Sequence, residues 1–366
     1  MTKKVRILQK SERLRGLWIL SERSVVRNII HKCVTCVRTR GRTAPQLMGD
    51  LPAPRVQPSR PFSITGLDYA GPYLFKLRGG RGVRSSKCYV AIFVCFSRKA
   101  VHLELVSDLL TPTFLAALKR FIARRRKPVK IMSDRASNFK KASKELKEVY
   151  KNVSLIGKSS ELAHFITSEG ITWIFNPPAA PHFGGIWESA VKSMKIHLKR
   201  VIGSILLTYK EFVTLLTQVE SCLNSRPLCP MSSDPNDLQV LTHCHFLIGA
   251  PLIVIPESDL SDIALPRLKR WTLVQQTVSH FWRRWNAEYL TTLQQHRKWY
   301  HSSPNLEIGD LVLLKNEQLP PNQWKIGRAI QTHPGSDGRV RVVTVFPSTG
   351  KLIRPVTKLC PLPSNN

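Results

Sequence analysis

Three acidic residues stand out in a chain that is poor in acids. Asp68 lies in the β-type run "TGLDYAG", Asp134 ends the run "VKIMSD", and Glu188 follows a Gly-Gly turn. Carboxylates are oxygen ligands of the kind that Mg²⁺ or Mn²⁺ prefers, and two such ions about 3.5–4 Å apart promote phosphoryl transfer. If the three side chains meet in the fold, they could hold a pair of divalent ions.

Each of these acids also has an ordinary structural interpretation. A glutamate in the first turn of a helix, such as Glu188, interacts favourably with the helix dipole. An aspartate at the end of a strand, such as Asp134, often caps a turn. Spacing alone leaves both interpretations open.

The segment "PHFGGIWESAVKSMKIHLKR" predicts an amphipathic helix that begins near Glu188. At roughly 100° per residue, Lys192, Lys195 and Lys199 lie about 40°, −20° and 20° from Glu188. The opposite arc is apolar and consists of Trp187, Ala190, Val191, Met194, Leu198, Val201 and Ile202. The charged face is either a solvated surface with Glu–Lys pairs or a surface where lysines bind phosphates beside a metal-binding glutamate.

The elements that must position these residues follow an α/β order. The runs "FSITGLDYAG", "CYVAIFVCFS" and "AVHLELV" predict three strands, and "TPTFLAALKRFIARRR" predicts a helix. A strand, a helix, a strand and the helix of Glu188 follow. This order predicts a ribonuclease-H-like layered domain in which strands one and four are neighbours and the last helix packs close to them.

Composition limits the partners. Of 366 residues, 56 are Lys or Arg and 24 are Asp or Glu, which gives a formal charge of +32. Such a surplus indicates a polyanionic partner, and nucleic acid is the usual one. No apolar run approaches the roughly 18–20 residues of a membrane span. The eight cysteines are scattered, which favours a reducing compartment over a secreted disulfide framework.

The chain divides into five predicted regions. Residues 1–43 form a small basic helical module, and residues 44–61 form a Pro-rich extended linker. Residues 62–228 are the α/β core, and residues 229–300 are an extended and basic helical connector. Residues 301–366 contain short β runs separated by glycine turns and predict a small antiparallel barrel similar to an SH3 fold.

Several blocks resemble a known family. "GLDYAGP", "SDRASNF" and "PHFGGIWESAVKSMK" resemble the core motifs of retroviral and retrotransposon integrases, and the match is closest to the Pao/BEL class of long-terminal-repeat retrotransposons. "LNSRPLCPMSSDPNDLQVLTHCHFLIGAPL" and the tail from "WKIGRAIQ" look like further segments of those integrases. "WILSERSVVRNIIHKCVTCVRTRG" resembles the end of their zinc-binding N-terminal module.

The resemblance implies a DDE-type polynucleotidyl transferase. Asp68, Asp134 and Glu188 match its acidic triad, which would bind two Mg²⁺ or Mn²⁺ ions while a DNA 3′-hydroxyl attacks a target phosphodiester. Asn138 would lie near DNA, as would the three lysines, although these depend more on the helical-face argument. Double-stranded DNA would be the partner, a homo-oligomer the working form, and the nucleus, after a cytoplasmic stage, the location.

The sequence also departs from the family pattern. The N-terminal module of the family has two histidines before its Cys-x-x-Cys pair, but no histidine precedes His31, which is too close to Cys33 to replace both. A tetrahedral zinc site needs four ligands, so Cys33 and Cys36 predict at most a partial, degenerate site in a truncated module. The 53 residues between the second and third acids predict a helical insertion, and Arg135 and Ala136 replace the usual Asn-Gly.

Two other functions stay open. One is a catalytically inactive DNA-binding remnant of such an integrase, which keeps the fold and the charge. The other is a ribonuclease-H-like nuclease of another lineage. Such nucleases generally use additional carboxylates, and this chain has few to offer.

Overall fold

The computed structural model describes residues 22–34, 51–78, 83–156, 170–177, 185–203, 205–232, 234, 236–252, 270–294, 304–315 and 319–363. The chain divides into two compact units, Met1–Pro52 and Ala53–Asn366. In the first unit the described helix is α1, Glu22–Lys32. All elements below belong to the second unit.

The first half of the second unit alternates strands and helices. Its elements, in chain order, are α2 (Ala53–Val56), β1 (Ile64–Lys76), β2 (Ser85–Cys95), β3 (Val101–Val106), α3 (Thr111–Arg125), β4 (Lys130–Ser133), α4 (Ser137–Ile156), β5 (Thr172–Phe175), α5 (Gly185–Ile202), β6 (Leu207–Thr208) and α6 (Tyr209–Asn224). The predicted order of strands and helices is therefore confirmed. Residues 53–56, within the predicted Pro-rich linker, form the single helical turn α2.

These strands form one mixed sheet in the order β3-β2-β1-β4-β5, with β6 paired to the far end of β1. Strands β1, β2 and β3 are antiparallel, whereas β1, β4 and β5 run parallel. The prediction that the first and fourth strands are neighbours is confirmed: Leu67 of β1 lies opposite Ser133 of β4.

Helices cover both faces of the sheet, and the side chains of β2 pack against the helices on both sides. Its side chains alternate between two cores, since successive residues of a strand point to opposite faces. Val90, Ile92 and Val94 pack in the core that contains α5 and α6, whereas Ala91 and Phe93 pack in the core that contains α3 and α4. A strand buried on both faces requires a continuous apolar run, which "VAIFVC" provides.

The free edge of β3 is covered by side chains of α6. Asn224 accepts from the backbone N of Val101 at 2.9 Å and donates to its O at 2.8 Å. Glu220 Oε2 accepts from the backbone N of Leu103 at 2.8 Å. These side chains replace hydrogen bonds that a further strand would make, so these three backbone groups of the edge are paired.

The second half of the unit contains the hairpin β7 (Pro227–Pro230) and β8 (Val240–Thr242), then α7 (His243–Ile248) and α8 (Arg270–Leu293). A five-stranded sheet follows, with β9 (Leu311–Leu314), β10 (Ile326–Pro334), β11 (Val340–Pro347), β12 (Leu352–Pro355) and β13 (Leu359–Pro361). Its order is β12-β11-β10-β9-β13 and its pairs are all antiparallel. The antiparallel C-terminal sheet agrees with the sequence; its SH3-like class stays a prediction.

Aromatic rings join α8 to the C-terminal sheet. Trp324, between β9 and β10, packs edge-on against Trp282 and Tyr289 of α8, with ring centroids 4.9 and 5.5 Å apart. The hydroxyl of Tyr289 donates to the carbonyl of Pro227 at 2.7 Å. Across the described part of the chain, no helix combines the length and the apolar character that a membrane crossing requires.

Candidate active site

The first acid of the site, Asp68, is held in the middle of β1. It lies opposite Ile92 of β2, and its side chain is 24% exposed. Oδ1 accepts from the backbone N of Tyr69 at 2.7 Å, and Oδ2 accepts from Nζ of Lys195 at 3.0 Å. Asp68 is therefore a partly buried carboxylate with a single described cation on one oxygen.

Asp134 lies beside it because β4 runs parallel to β1. The two aspartates each follow a paired residue, Leu67 and Ser133, so they occupy the next positions on neighbouring strands. Asp134 is exposed as a residue, but its carboxyl group is partly shielded from solvent, and its Oδ1 accepts from the backbone N of Ala136 at 3.2 Å.

The pKa of Asp134 is raised above its usual value. Burial of the carboxyl is the main cause, and the negative charge of Asp68 adds to it. The hydrogen bond from Ala136 and the charge of Lys195 only partly offset both effects. The two aspartates thus form an electrostatically coupled pair that is short of positive charge.

Helix α5 supplies the third predicted acid. Glu188 is its fourth residue, and the helix packs against β1 and β2. The side chain of Glu188 lies outside the described residues. The helical register places Glu188 on the face that carries Lys195, two turns and about 10.5 Å closer to the helix N-terminus.

The predicted amphipathic character of α5 is confirmed for its described side chains. Met194, Leu198 and Ile202 are buried in the core, whereas Lys199 is exposed. Lys195 is 36% exposed, and its ammonium group contacts Asp68. At Lys195, the helix face that was predicted to bind DNA therefore faces the aspartate pair. The side chain of Lys192 lies outside the described residues.

Asn138 occupies a different position from the one that a direct DNA contact suggests. It lies in the first turn of α4 and is 7% exposed. Its neighbour Phe139 stacks on Tyr69 with ring centroids 5.1 Å apart. Burial raises the pKa of the Tyr69 hydroxyl, and Asn138 partly offsets the rise. Asn138 is thus a buried residue whose Nδ2 has no hydrogen-bond partner among the described residues, and its contact with DNA stays a prediction.

Two of the three predicted metal ligands, Asp68 and Asp134, have described side chains. Within the described ranges, no three His, Cys, Asp or Glu side chains form a group that could hold a metal. Asp68 and Asp134 are two oxygen donors on neighbouring strands, and this donor set fits Mg²⁺ or Mn²⁺. In the first unit, Cys33 directly follows α1 and Cys36 lies outside the described residues, so the partial zinc site stays a prediction.

Sequence reasoning missed one feature of the site, the ion pair between Lys195 and Asp68. The residues are separated by 127 positions in the chain. The sequence pattern placed Lys195 and Glu188 on one helix face. It suggested that Lys195 binds a phosphate, and it gave no indication that Lys195 contacts an aspartate of β1.

Comparison with known proteins gives one partial family match. Residues 269–362, a minority of the chain, match a family described as "Family of unknown function (DUF5641)". No curated protein sequence matches the chain.

Solved structures to which the chain is similar include a retroviral intasome and a retroviral integrase core domain. The simian T-cell lymphotropic virus intasome in complex with PP2A regulatory subunit B56 gamma is 16% identical with a TM-score of 0.35, over 98% of this chain and 96% of that chain. The HTLV-2 integrase catalytic core domain in complex with magnesium is 17% identical in its dimeric form, with a TM-score of 0.28, over 45% of this chain and 88% of that chain. Its trimeric form is 15% identical with a TM-score of 0.30, over 51% and 97%.

Proposed function

We propose that this chain is an integrase-like polynucleotidyl transferase that joins DNA 3′ ends to target DNA. The observation that carries the proposal is the placement of Asp68 on β1 beside Asp134 at the end of the parallel strand β4, in a sheet that packs against the helix containing Glu188. Two neighbouring carboxylates that share a single described cation, Lys195, are expected where a divalent cation is to bind. The motifs around the three acids, which resemble those of Pao/BEL-class retrotransposon integrases, support the same assignment.

Asp68, Asp134 and Glu188 would hold the two Mg²⁺ or Mn²⁺ ions. When bound, such ions activate an attacking hydroxyl and stabilise the leaving oxygen in phosphoryl transfer. The contribution of the chain itself is to fix the carboxylates on rigid elements: Asp68 is hydrogen-bonded to the backbone of β1, and Asp134 is held by the backbone of Ala136.

Double-stranded DNA is the proposed partner. The formal charge of +32 supports it, since a polyanion relieves the self-repulsion of so many cations. Lys192, Lys195 and Lys199 would bind phosphates along α5. We further propose that the chain acts as a homo-oligomer in the nucleus. Its core would be ribonuclease-H-like, and its C-terminal sheet would be an SH3-like barrel.

A catalytically inactive DNA-binding remnant is the second candidate. The ion pair between Lys195 and Asp68 supports it, because a lysine that permanently neutralises Asp68 would preserve the fold without metal binding.

A strand-transfer assay with Mg²⁺ or Mn²⁺ and blunt DNA duplexes tests the proposal. We expect joined products from the full chain and a loss of more than about a hundredfold in Glu188→Gln, since even outer partners of a metal site are worth about 10- to 100-fold. Glu148→Gln, which removes an exposed acid from α4, is the matched control and should keep full activity. DNA binding without joining would support the remnant instead.

A further inference from the structure

The ion pair at the candidate site involves one particular lysine. Nζ of Lys195 lies 3.0 Å from Oδ2 of Asp68, with 36% and 24% of the two side chains exposed. Across the described ranges, no other Lys, Arg or His forms an ion pair with Asp68 or Asp134. Lys199, one turn further along the same helix face, is exposed and makes no ion pair with a described acid.

The contact places a positive charge on an oxygen that would also be a metal ligand. A carboxylate oxygen that accepts a hydrogen bond from an ammonium group has less free lone-pair density for a divalent ion, and the two cations repel each other. Lys195 also stabilises the charged form of Asp134, as the pKa of that residue reflects. The lysine therefore supplies part of the positive charge that the aspartate pair needs in the absence of metal.

Lys195 is also able to leave Asp68. A lysine carries its charge on a flexible four-carbon chain, and the side chain of Lys195 is partly exposed. A DNA phosphate near α5 would offer the ammonium group an alternative anion. Departure of the ammonium group would free Oδ2 of Asp68.

We propose that Lys195 is a built-in counter-ion that competes with the divalent metal for Asp68 and is released when DNA phosphate binds it. The proposal rests on the proposed function, since it assumes that the aspartates bind metal. Its consequence is a positive coupling: DNA raises the affinity for metal, and metal raises the affinity for DNA by the same factor. In the absence of DNA, the site is held in a state that binds metal weakly.

Binding of Mn²⁺ to the full chain without DNA, measured by calorimetry or electron paramagnetic resonance, tests the proposal. We expect Lys195→Met to bind Mn²⁺ about five- to tenfold more tightly than the wild type, at the lower end of typical coupling between sites. Lys199→Met removes the same charge from the same helix face and should change the affinity by less than about twofold, because an exposed charge away from the ligands is screened. Lys195→Arg keeps the charge and should retain the weak affinity.

Addition of a short DNA duplex gives a second measurement. It should raise the Mn²⁺ affinity of the wild type more than that of Lys195→Met. Unchanged or weaker Mn²⁺ binding by Lys195→Met overturns the counter-ion proposal, and so does equally tight binding by Lys195→Arg.

Asp134→Asn distinguishes failure of this inference from failure of the proposed function. If Asp134→Asn weakens Mn²⁺ binding while Lys195→Met leaves it unchanged, the acids bind metal and only the counter-ion role is wrong. If Asp134→Asn leaves Mn²⁺ binding unchanged, metal does not bind at the aspartates and both proposals fail.

Discussion

The central sheet carries two pairs of acids with opposite surroundings. Asp68 and Asp134, on β1 and after β4, share a single described cation, Lys195. Glu104 of β3 and Glu220 of α6 lie at the β3 edge of the sheet and are almost fully buried. Three arginines of α3, namely Arg120, Arg124 and Arg125, supply positive charge to them, and the buried His102 lies between the two glutamates.

The contacts of the second pair show how a buried acid is stabilised in this fold. Glu104 accepts from Nε of Arg120 at 2.6 Å and also pairs with Arg124. Burial raises the pKa of Glu220, but the hydrogen bond from His102, the charge of Arg125 and the hydrogen bond from the backbone N of Leu103 outweigh it, so that the pKa is lowered overall. This cluster holds α3 and α6 to the edge strand.

The difference separates acids that stabilise the fold from acids that remain available to a ligand. Where charge compensation is complete, the carboxylate has no oxygen to spare for a metal ion. Where it is incomplete, the pKa of a carboxyl rises, as it does for Asp134, and a cation from outside can be accommodated.

Among the substitutions that test this comparison, Glu220→Gln is expected to have the largest effect on stability. The substitution leaves Arg125 without its acid in a buried setting and places an amide nitrogen among donors, which should cost about 3–5 kcal/mol of unfolding free energy. Urea unfolding followed by circular dichroism measures it. The exposed Glu148→Gln should stay within about 0.5 kcal/mol of the wild type, and a loss from Glu220→Gln below that value would contradict the structural role.

Asp134→Asn is expected to raise the free energy of unfolding in metal-free buffer, whereas Glu220→Gln lowers it. Because the folded-state pKa of Asp134 is raised, the folded chain binds more protons than the unfolded chain between the usual pKa of 3.8 and the raised one, so stability falls as pH rises through that window. The penalty persists at pH 7, and the substitution removes it. The gain should be below about 1 kcal/mol, because the carboxyl is partly solvated.

Urea unfolding at neutral pH and again below the usual aspartate pKa checks this prediction. At the lower pH, both forms of the folded protein carry an uncharged group at position 134 and the difference should vanish. Destabilisation by Asp134→Asn at neutral pH would mean that the aspartate is a structural acid like Glu220.

The smallest effect is expected for Asp337→Asn in the C-terminal sheet. The hydrogen bond from Arg341 lowers the pKa of Asp337 to about 2, as expected for a strong pair. However, the two side chains are 45% and 64% exposed, so solvent screens the interaction. The urea midpoint of Asp337→Asn at pH 7 should match that of the wild type. A shift as large as that of Glu220→Gln would show that burial does not explain why some acids stabilise the fold more than others.

Much of the fold could be predicted from periodicity. The apolar β-rich run of β2 and the apolar stripe of α5 indicated their elements, because a strand buried on both faces is continuously apolar and burial of one helix face imposes a period of about 3.6. The adjacency of β1 and β4, and hence of Asp68 and Asp134, followed from the order of the elements. Strand β6 and helix α2 were not predicted, since two- and four-residue elements carry no periodic signal.

The partners of the charged residues could not be predicted from the sequence. Glu104 alternates with apolar residues in "VHLELV", and Glu220 lies in an apolar helix, but neither pattern names a partner. The same holds for Asn138, whose burial beside Tyr69 depends on how α4 packs on the sheet.

The order of residues by itself determined which segments become strands and helices and which acids end up at neighbouring positions of the sheet, because local burial patterns act over a few residues. Only the tertiary structure decided which acids are neutralised. Lys195 meets Asp68 across 127 positions and Arg125 meets Glu220 across 95. Coulombic attraction depends on distance in space and on burial, and neither is encoded in the spacing along the chain.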